Sequence, residues 1–508
     1  MSDNKIQTLK EIRETAARLR AAGDRIAHCH GTFDLLHPGH LRHLKRASEE
    51  GDRLIVTLTA DRFVSKGPGR PAFPEQLRAE SIAALACVDY VCIIAETTGI
   101  PAIEAIRPAV YVKGSDYKQA SQDVTGNILR EKKAVESFGG KIAYTDEITF
   151  SSSSLLNQHF DLFSPTVKEY LRKFKLVHTP EAVTEQIQNL KDLRVLVVGE
   201  AIIDEYCSVK PMGVTGKNID VLSSQYDSLE RFAGGSLAVA NHLAGYVEEV
   251  ALVTGLGKND PHEPFIRAKL ADNIQPTFFY YEDAPTLVKR RFVDESISKL
   301  FEIYFYDPAP LTADLEQEIC RWIETHAANY DAVIVPDYGN GFISEPMVER
   351  LCRHAGFLAV NTQINSGNRG YHVITRYARA DYISLNIPEI RLAAHNRHAP
   401  LEDLVIEIGK QLDASSFSAT LGADGAMMMD VEKGLSLSIP ALSTTVVDRI
   451  GAGDSYFALT SLCLAQGGDR EMALFLGSAA AALDVRIVCN REPVDPVSLH
   501  KFTSTLLK

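Results

Sequence analysis

The sequence predicts an α/β protein of two domains with mainly parallel sheets, and three observations lead there. The chain has 508 residues, more than one hydrophobic core usually organises. Apolar, strand-like runs alternate with helical patterns through most of its length. A polar, helix-prone stretch from about Asp161 to Leu193 separates two such series, and a fresh strand follows it.

The chain opens on MSDNKIQTLKEIRETAARLR, a polar amphipathic helix pattern without the apolar core of a targeting signal. The first strand is RIAHCH, ending at Gly31, and a helix follows from about Pro38. Then come the strand DRLIVTLTA, the helix PEQLRAESIAALA, the strand VDYVCII, a helix around Ile100–Ile106 and the strand AVYVKG. After the polar stretch the strand RVLVVGEAIID begins a second series, with EVALVTGLG, AVIVPDYG, LAVNTQ, ADYISLN and SATLGADGAMMM as further strands and Ala-rich helical segments at the end. The expected division is a domain over 1–160, a helical linker over 161–192 and a domain over 193–508. No low-complexity segment or internal repeat interrupts it.

Apolar residues make up 45% and charged residues 23%, ordinary values for a soluble globular protein. A net charge of −13 argues against a nucleic-acid partner, which asks for a basic face. No stretch approaches the roughly 20 apolar residues of a membrane span, so no membrane partner is expected and the cytoplasm is the expected location. The eight cysteines form no C-x-x-C pair, and several lie in apolar runs; they read as buried, reduced thiols.

Residues 30–40 read H-G-T-F-D-L-L-H-P-G-H, running from the end of a strand into a helix. Gly31 permits close backbone approach to a ligand, and the new helix aims its positive end over the strand tip. His37 and His40, three apart, share a helix face. A triphosphate placed there meets backbone N–H groups, a helix dipole and two imidazoles, which stabilise charge developing during in-line attack. Two such histidines taken alone also suit a metal pair or a polar surface.

The whole string is more specific. It resembles the HxGH motif, with its preceding G-x-F-D-x-x-H, of the cytidylyltransferase-like nucleotidyltransferase superfamily. TADRFVSKGPGRP (59–71) resembles the superfamily segment whose lysine, here Lys66, reaches the triphosphate. VKGSDY (112–117), with Lys113 and Asp116, and FGGKIAYTDEITFSSSS (138–154), with Ser152 and Ser153, resemble the ADP-heptose synthase branch. Thr32 stands where that branch often has Cys, and a serine run stands where it has S-T-T. The resemblance covers about residues 25–158. It implies a Rossmann-like domain in which a sugar-1-phosphate oxygen attacks the α-phosphate of ATP or CTP and releases pyrophosphate, with Mg²⁺ on the phosphates and no covalent enzyme intermediate. Gly31, Thr32, Phe33, Ser152 and Ser153 then fall on the nucleotide, His37, His40 and Lys66 on the reacting phosphates, and Lys113 and Asp116 on the sugar phosphate.

In the second half, residues 448–454 read D-R-I-G-A-G-D ahead of a helical pattern. Gly451, Ala452 and Gly453 allow backbone N–H groups to converge on an anion. Asp454 beside such a hole suits a base that takes a proton from a substrate hydroxyl. Taken alone, the aspartate also suits a helix cap.

Four companions accompany it. Gly234-Gly235 with Asn241 resembles the first signature of the PfkB/ribokinase carbohydrate kinase family, and GAGD resembles the second. Asn386-Ile-Pro-Glu389 matches the family's N-x-x-E, which organises Mg²⁺. TLGADGA (420–426) resembles its nucleotide loop, here Thr420, Gly422 and Gly425. Asp204 falls where the family places a sugar-hydroxyl ligand. PTLVKRRFVD (285–294) resembles the heptose-kinase T-x-x-K-x-R and offers Lys289 and Arg291 to a substrate phosphate. Asn340 and the Asn361 run stand where that branch commonly has D-Y-x-K-G and D-P-K. The resemblance spans about residues 193–490 and implies a ribokinase-like α/β/α domain that uses ATP.

Together the halves resemble the bifunctional heptose 7-phosphate kinase / heptose 1-phosphate nucleotidyltransferase family with the domain order reversed, and relatives of both domains often form homo-oligomers. The alternatives are the same two activities on another sugar or polyol phosphate, with CTP as donor, and a chain in which one domain is inactive and serves as a regulatory module.

Overall fold

The computed structural model describes residues 5–64, 70–114, 127–145, 163–215, 218–260, 262–443 and 445–507. The chain folds into two compact units, Met1–Pro165 with His500–Lys508, and Thr166–Leu499. Both are α/β. No helix among the described residues is long and apolar enough to cross a membrane.

The first unit holds a five-stranded parallel sheet of order β3-β2-β1-β4-β5: β1 (Ile26–Gly31), β2 (Arg53–Thr59), β3 (Tyr90–Ile94), β4 (Val110–Gly114) and β5 (Lys141–Thr145). Helices α1 (Leu9–Ala21), α2 (Pro38–Ser48), α3 (Glu75–Ala83), α4 (Ile100–Ile106) and α5 (Asn127–Ser137) belong to the same unit. α1 starts where Thr8 and Glu11 cap each other's backbone N–H groups, and it buries Ile12, Thr15, Ala16 and Leu19, one face at helical spacing. α2 carries Pro38 in its first turn, where no intrahelical N–H is missed.

The second unit opens with α6 (Pro165–Val177) and α7 (Pro180–Asn189). The stretch expected as a linker is thus folded into this unit: Phe174 stacks on Phe475 at 4.3 Å, and His178 lies 3.2 Å from Glu471. Its main sheet has nine strands in the order β10-β9-β6-β13-β14-β15-β16-β17-β18. They are β6 (Val195–Val198), β9 (Val250–Gly257), β10 (Ile274–Tyr281), β13 (Ala332–Asp337), β14 (Leu358–Thr362), β15 (Tyr382–Asn386), β16 (Ser416–Thr420), β17 (Ala426–Asp430) and β18 (Leu435–Ile439). Pairing is parallel from β10 to β16 and antiparallel beyond. β6 and β9 are buried throughout, as strands of a sheet covered on both faces must be.

A separate four-stranded sheet, order β12-β11-β7-β8, is built from β7 (Ala201–Thr215), β8 (Asn218–Gly235), β11 (Leu287–Val293) and β12 (Lys299–Phe305). The helices are α8 (Ser236–Ala244), α9 (Glu263–Lys269), α10 (Ala313–His326), α11 (Glu345–His354), α12 (Ile387–Ala393), α13 (Leu401–Gln411), α14 (Ala452–Ala465) and α15 (Arg470–Asp484). All eight cysteines are unpaired, and all but Cys87 are buried.

Candidate active sites

In the first unit β1 pairs with β2 on one side and β4 on the other, so the chain leaves the sheet at a topological switch point, where diverging connections open a crevice. Phe33, just beyond β1, has φ of +45°, a left-handed conformation that a bulky residue holds only under constraint. Its ring meets His40 edge-on at 5.2 Å. His37 caps α2: the Gly39 N–H donates to its Nδ1 at 3.2 Å. A neutral imidazole accepting at Nδ1 carries its proton on Nε2, and burial holds His37 below the ordinary histidine pKa. That Nε2 is buried with no partner among the described residues. An orphaned donor at the positive end of a helix suits an anionic acceptor. The His40 ring stacks on His37 at 3.9 Å, and its Nδ1 lies 3.1 Å from the Leu35 carbonyl.

Several neighbours were not singled out in the sequence. Asp34 and Arg70 form an ion pair at 3.0 Å with both side chains 2% exposed, and the Ala72 N–H donates to the same carboxylate at 2.6 Å. This ties residues 70–72 to the His37 loop. His43, one turn after His40, shares a hydrogen bond with Thr145 Oγ1 at 2.8 Å, and burial pushes its pKa down to about 4. Lys113 lies in a buried ion pair with Glu131 at 2.9 Å; Glu131 also accepts from Gly99 N and Tyr111 O–H. Lys66, Asp116, Ser152 and Ser153 lie outside the described residues.

In the second unit Asn386 and Thr420 stand at the carboxyl ends of β15 and β16, and Asp204, Lys289 and Arg291 stand on β7 and β11 of the small sheet. Asp204 on β7 is the register partner of Lys289 on β11 and ion-pairs with Arg291; the Arg291 Nε also lies 3.3 Å from Glu302. Gly234 is required here, because a Cβ would strike the Asp204 carboxylate. Gly451 caps α14 at φ +100°, with Asn490 and Asp484 occupying the space a side chain would need. Asp454 sits in the first turn of α14, half-buried, and burial pushes its carboxyl up to about 7. A carboxylate balanced there can accept a proton at neutral pH. Tyr338 O–H donates to its Oδ1 at 2.7 Å. Burial lowers the pKa of Lys289, with Asp204 opposing, and its ammonium lies 5.2 Å from the Tyr304 ring and 5.7 Å from the Tyr338 ring. Lys289, Arg291, Lys299, Gln363, Asn365 and Arg369 help line a cleft of ≈ 690 Å³.

Asn386 and Glu389 form a reciprocal capping box that starts α12. Glu389 accepts from Asn386 N at 2.8 Å and Ile364 N at 3.3 Å, and burial pushes it up to about 7. Thr420 pairs with Asn386 across β15 and β16, and the turn through Gly422 closes on Gly425, whose φ is +100°. Asn241 is turned elsewhere: its amide donates to Lys269 O and accepts from Ala271 N, both at 3.0 Å, which ties α8 to the α9–β10 connection. Of the two departures from the heptose-kinase pattern, Asn361 donates to Ser384 O at 2.6 Å and Asn340 to Tyr338 O at 3.2 Å.

Residues 192–488 match the family described as pfkB family carbohydrate kinase, and residues 28–159 match the cytidylyltransferase-like family. The chain is 42% identical over 153 residues to the bifunctional protein HldE of Methylobacillus flagellatus, covering 30% of each chain. It is 44% identical over 140 residues to that of Acidiphilium cryptum, covering 27% of each. These matches lie in the N-terminal domain, so the chain spans under a third of the length of the curated relatives it matches. Escherichia coli phosphofructokinase-2 in complex with substrates and products aligns with a TM-score of 0.51 at 14% identity, covering 62% of this chain and 100% of that one. Its tetrameric inhibited form aligns at 0.50 and 15% identity over the same shares. At such identities the likeness is one of fold.

Proposed function

Because the chain belongs to the pfkB family of carbohydrate kinases through residues 192–488 and carries a cytidylyltransferase-like domain before it, we propose that it is a bifunctional sugar kinase and sugar-phosphate nucleotidyltransferase acting on a heptose. The kinase converts heptose 7-phosphate and ATP to the 1,7-bisphosphate. The transferase joins a nucleotide to heptose 1-phosphate and releases pyrophosphate. Both reactions draw on nucleoside triphosphate, which places the enzyme in the cytoplasm under this reading.

The observation that carries the kinase half is Asp454 in the first turn of α14, beside Asp204 and Lys289 and with its pKa raised to about 7. Asp454 takes the proton of the anomeric hydroxyl while the N–H groups of Gly451–Gly453 hold the transferred phosphoryl. Asp204 accepts from sugar hydroxyls, and Lys289 and Arg291 hold the distal phosphate. Mg²⁺, when bound, neutralises charge on the phosphate oxygens. Glu389, its oxygens already accepting backbone N–H groups, fits a contact to this ion through water.

In the transferase the unpartnered His37 Nε2–H and the stacked His40 face the phosphates, with Lys66 as the expected third cation. The substrate oxygen attacks the α-phosphorus directly. Asn340, where heptose kinases commonly carry a lysine, and the N-T-Q run at 361–363, where they commonly carry D-P-K, favour a second reading in which both activities serve another sugar or polyol phosphate.

Mixing the purified chain with Mg-ATP and heptose 7-phosphate, followed by ³¹P NMR, tests the first reading, and a 1,7-bisphosphate is expected. No turnover there, with turnover on another sugar in a panel crossing ATP and CTP with sugar 1-phosphates, refutes the heptose assignment.

A further inference from the structure

The loop after β13 is fixed more heavily than a surface connection requires. Asp337 is fully buried and held by Arg376 at 3.0 Å, Tyr377 O–H at 2.8 Å and His372 at 3.0 Å. The Tyr338 N–H donates to Glu200 at 3.1 Å. The Tyr338 carbonyl accepts from three side-chain amides: Asn340 at 3.2 Å, Asn365 at 3.0 Å and Asn368 at 3.1 Å. Gly339 follows at φ +63°, where a Cβ would strike Asn368 and the His372 ring. Burying this many polar groups is unfavourable unless each is satisfied, so the arrangement has one permitted geometry.

At the end of the fixed loop stands the Tyr338 phenol, 3% exposed, donating to Asp454 Oδ1 at 2.7 Å. Burial, then the Asp454 charge, raises the phenol pKa well above its ordinary value, so the proton stays on tyrosine and the bond always donates to the carboxylate. The Tyr338 bond engages Oδ1 of Asp454 and leaves Oδ2 to the other side of the carboxylate.

We infer that Tyr338 is a positioning residue for the phosphoryl-transfer base, fixing the Asp454 carboxylate through Oδ1 so that Oδ2 meets the substrate hydroxyl, and that the Asn340, Asn365 and Asn368 amides are the clamp that holds Tyr338. The inference rests on Asp454 being the base. It also gives the departure at the D-Y-x-K-G position a use: Asn340, standing where a lysine is common, puts an amide on the Tyr338 carbonyl and serves the base through Tyr338.

The consequence is readable in the pH profile. Asp204 on β7, Lys289 on β11 and Asp484 at the end of α15 are the charged groups that act on Asp454 from the packed elements. Burial and Asp204 raise its pKa, and the Tyr338 bond and Lys289 lower it. Removing the phenol removes one of the two lowering influences, so the carboxyl titrates at higher pH.

In the full chain, Tyr338→Phe is expected to move the acid limb of the kinase kcat/KM profile upward by about one pH unit, the worth of a hydrogen bond to a charged group. That shift lowers the rate about fivefold at pH 7 and leaves most of it at pH 9. Nucleotidyl transfer and the KM for ATP stay unchanged. Asn365→Ala, which loosens the clamp and keeps the phenol, is expected to move the same limb in the same direction by less. A uniform loss at every pH, or no loss, in Tyr338→Phe overturns the positioning role. An unmoved limb in Asn365→Ala overturns the clamp. Kinase turnover surviving in Asp454→Asn refutes the base itself, whereas a dead Asp454→Asn with an unmoved Tyr338→Phe profile refutes only the present inference.

Discussion

Replacing Arg70 with alanine isolates the physics of the His37 loop. Asp34 and Arg70 are 3.0 Å apart, each side chain 2% exposed, and Asp34 also accepts from Ala72 N at 2.6 Å. Arg70→Ala keeps that backbone donor but leaves a carboxylate out of water without its cation. Such an orphaned charge costs about 3–5 kcal/mol, a large part of the roughly 5–15 kcal/mol that holds a domain together. For a unit of this size each kcal/mol lowers the melting point by roughly 2–4 °C, so a fall of about 10 °C is expected. Far-UV circular dichroism of the full chain reads the melt, and pyrophosphate release reads the transferase, which should fall as the loop loses its tether while kinase turnover persists. Removing both partners, as Asp34→Leu with Arg70→Met, should recover much of the lost stability, because no buried charge remains. A single variant that melts within a degree of the parent, or a double variant less stable than the single one, refutes this reasoning.

Two further outcomes follow from the kinase site. A base must be ionised to work, and burial holds Asp454 at about 7, so kinase kcat/KM should fall about tenfold per pH unit below 7 and level off above it; a limb near 4 contradicts the environment described for Asp454. Gly451→Ala puts a Cβ at φ +100° against Asn490 and Asp484, and displacing that loop should cost about a hundredfold in kinase kcat with nucleotidyl transfer intact.

The main sheets were legible because β6, β9 and β13–β17 are apolar runs buried in a covered sheet. The small sheet was not. β12 is almost wholly exposed, and β7, which pairs with its neighbour β8, also pairs with β11 some 85 positions on, so neither alternation nor apolar density announces the sheet. The glycine strings could be placed because positive φ and a missing Cβ demand glycine locally, as at Gly451. Asn241 could not: a motif names the residue, but the face of α8 it occupies is set by the neighbours, here Lys269 and Ala271. Tyr338 reaches Asp454 across 116 positions, a contact that only the fold creates. The stretch 161–192 looked like a linker because its helices are polar outside, yet Phe174 and Leu171 are core residues of the second unit.

Two separate sites in one chain is the central claim, and a crossed pair of variants tests it most directly. Asp454→Asn and His40→Ala, each in the full chain, are assayed for sugar phosphorylation and for pyrophosphate release from nucleoside triphosphate and sugar 1-phosphate. Asp454→Asn should abolish phosphorylation and leave nucleotidyl transfer intact, and His40→Ala should do the reverse. Loss of both reactions in either variant, or phosphorylation surviving in Asp454→Asn, contradicts the account.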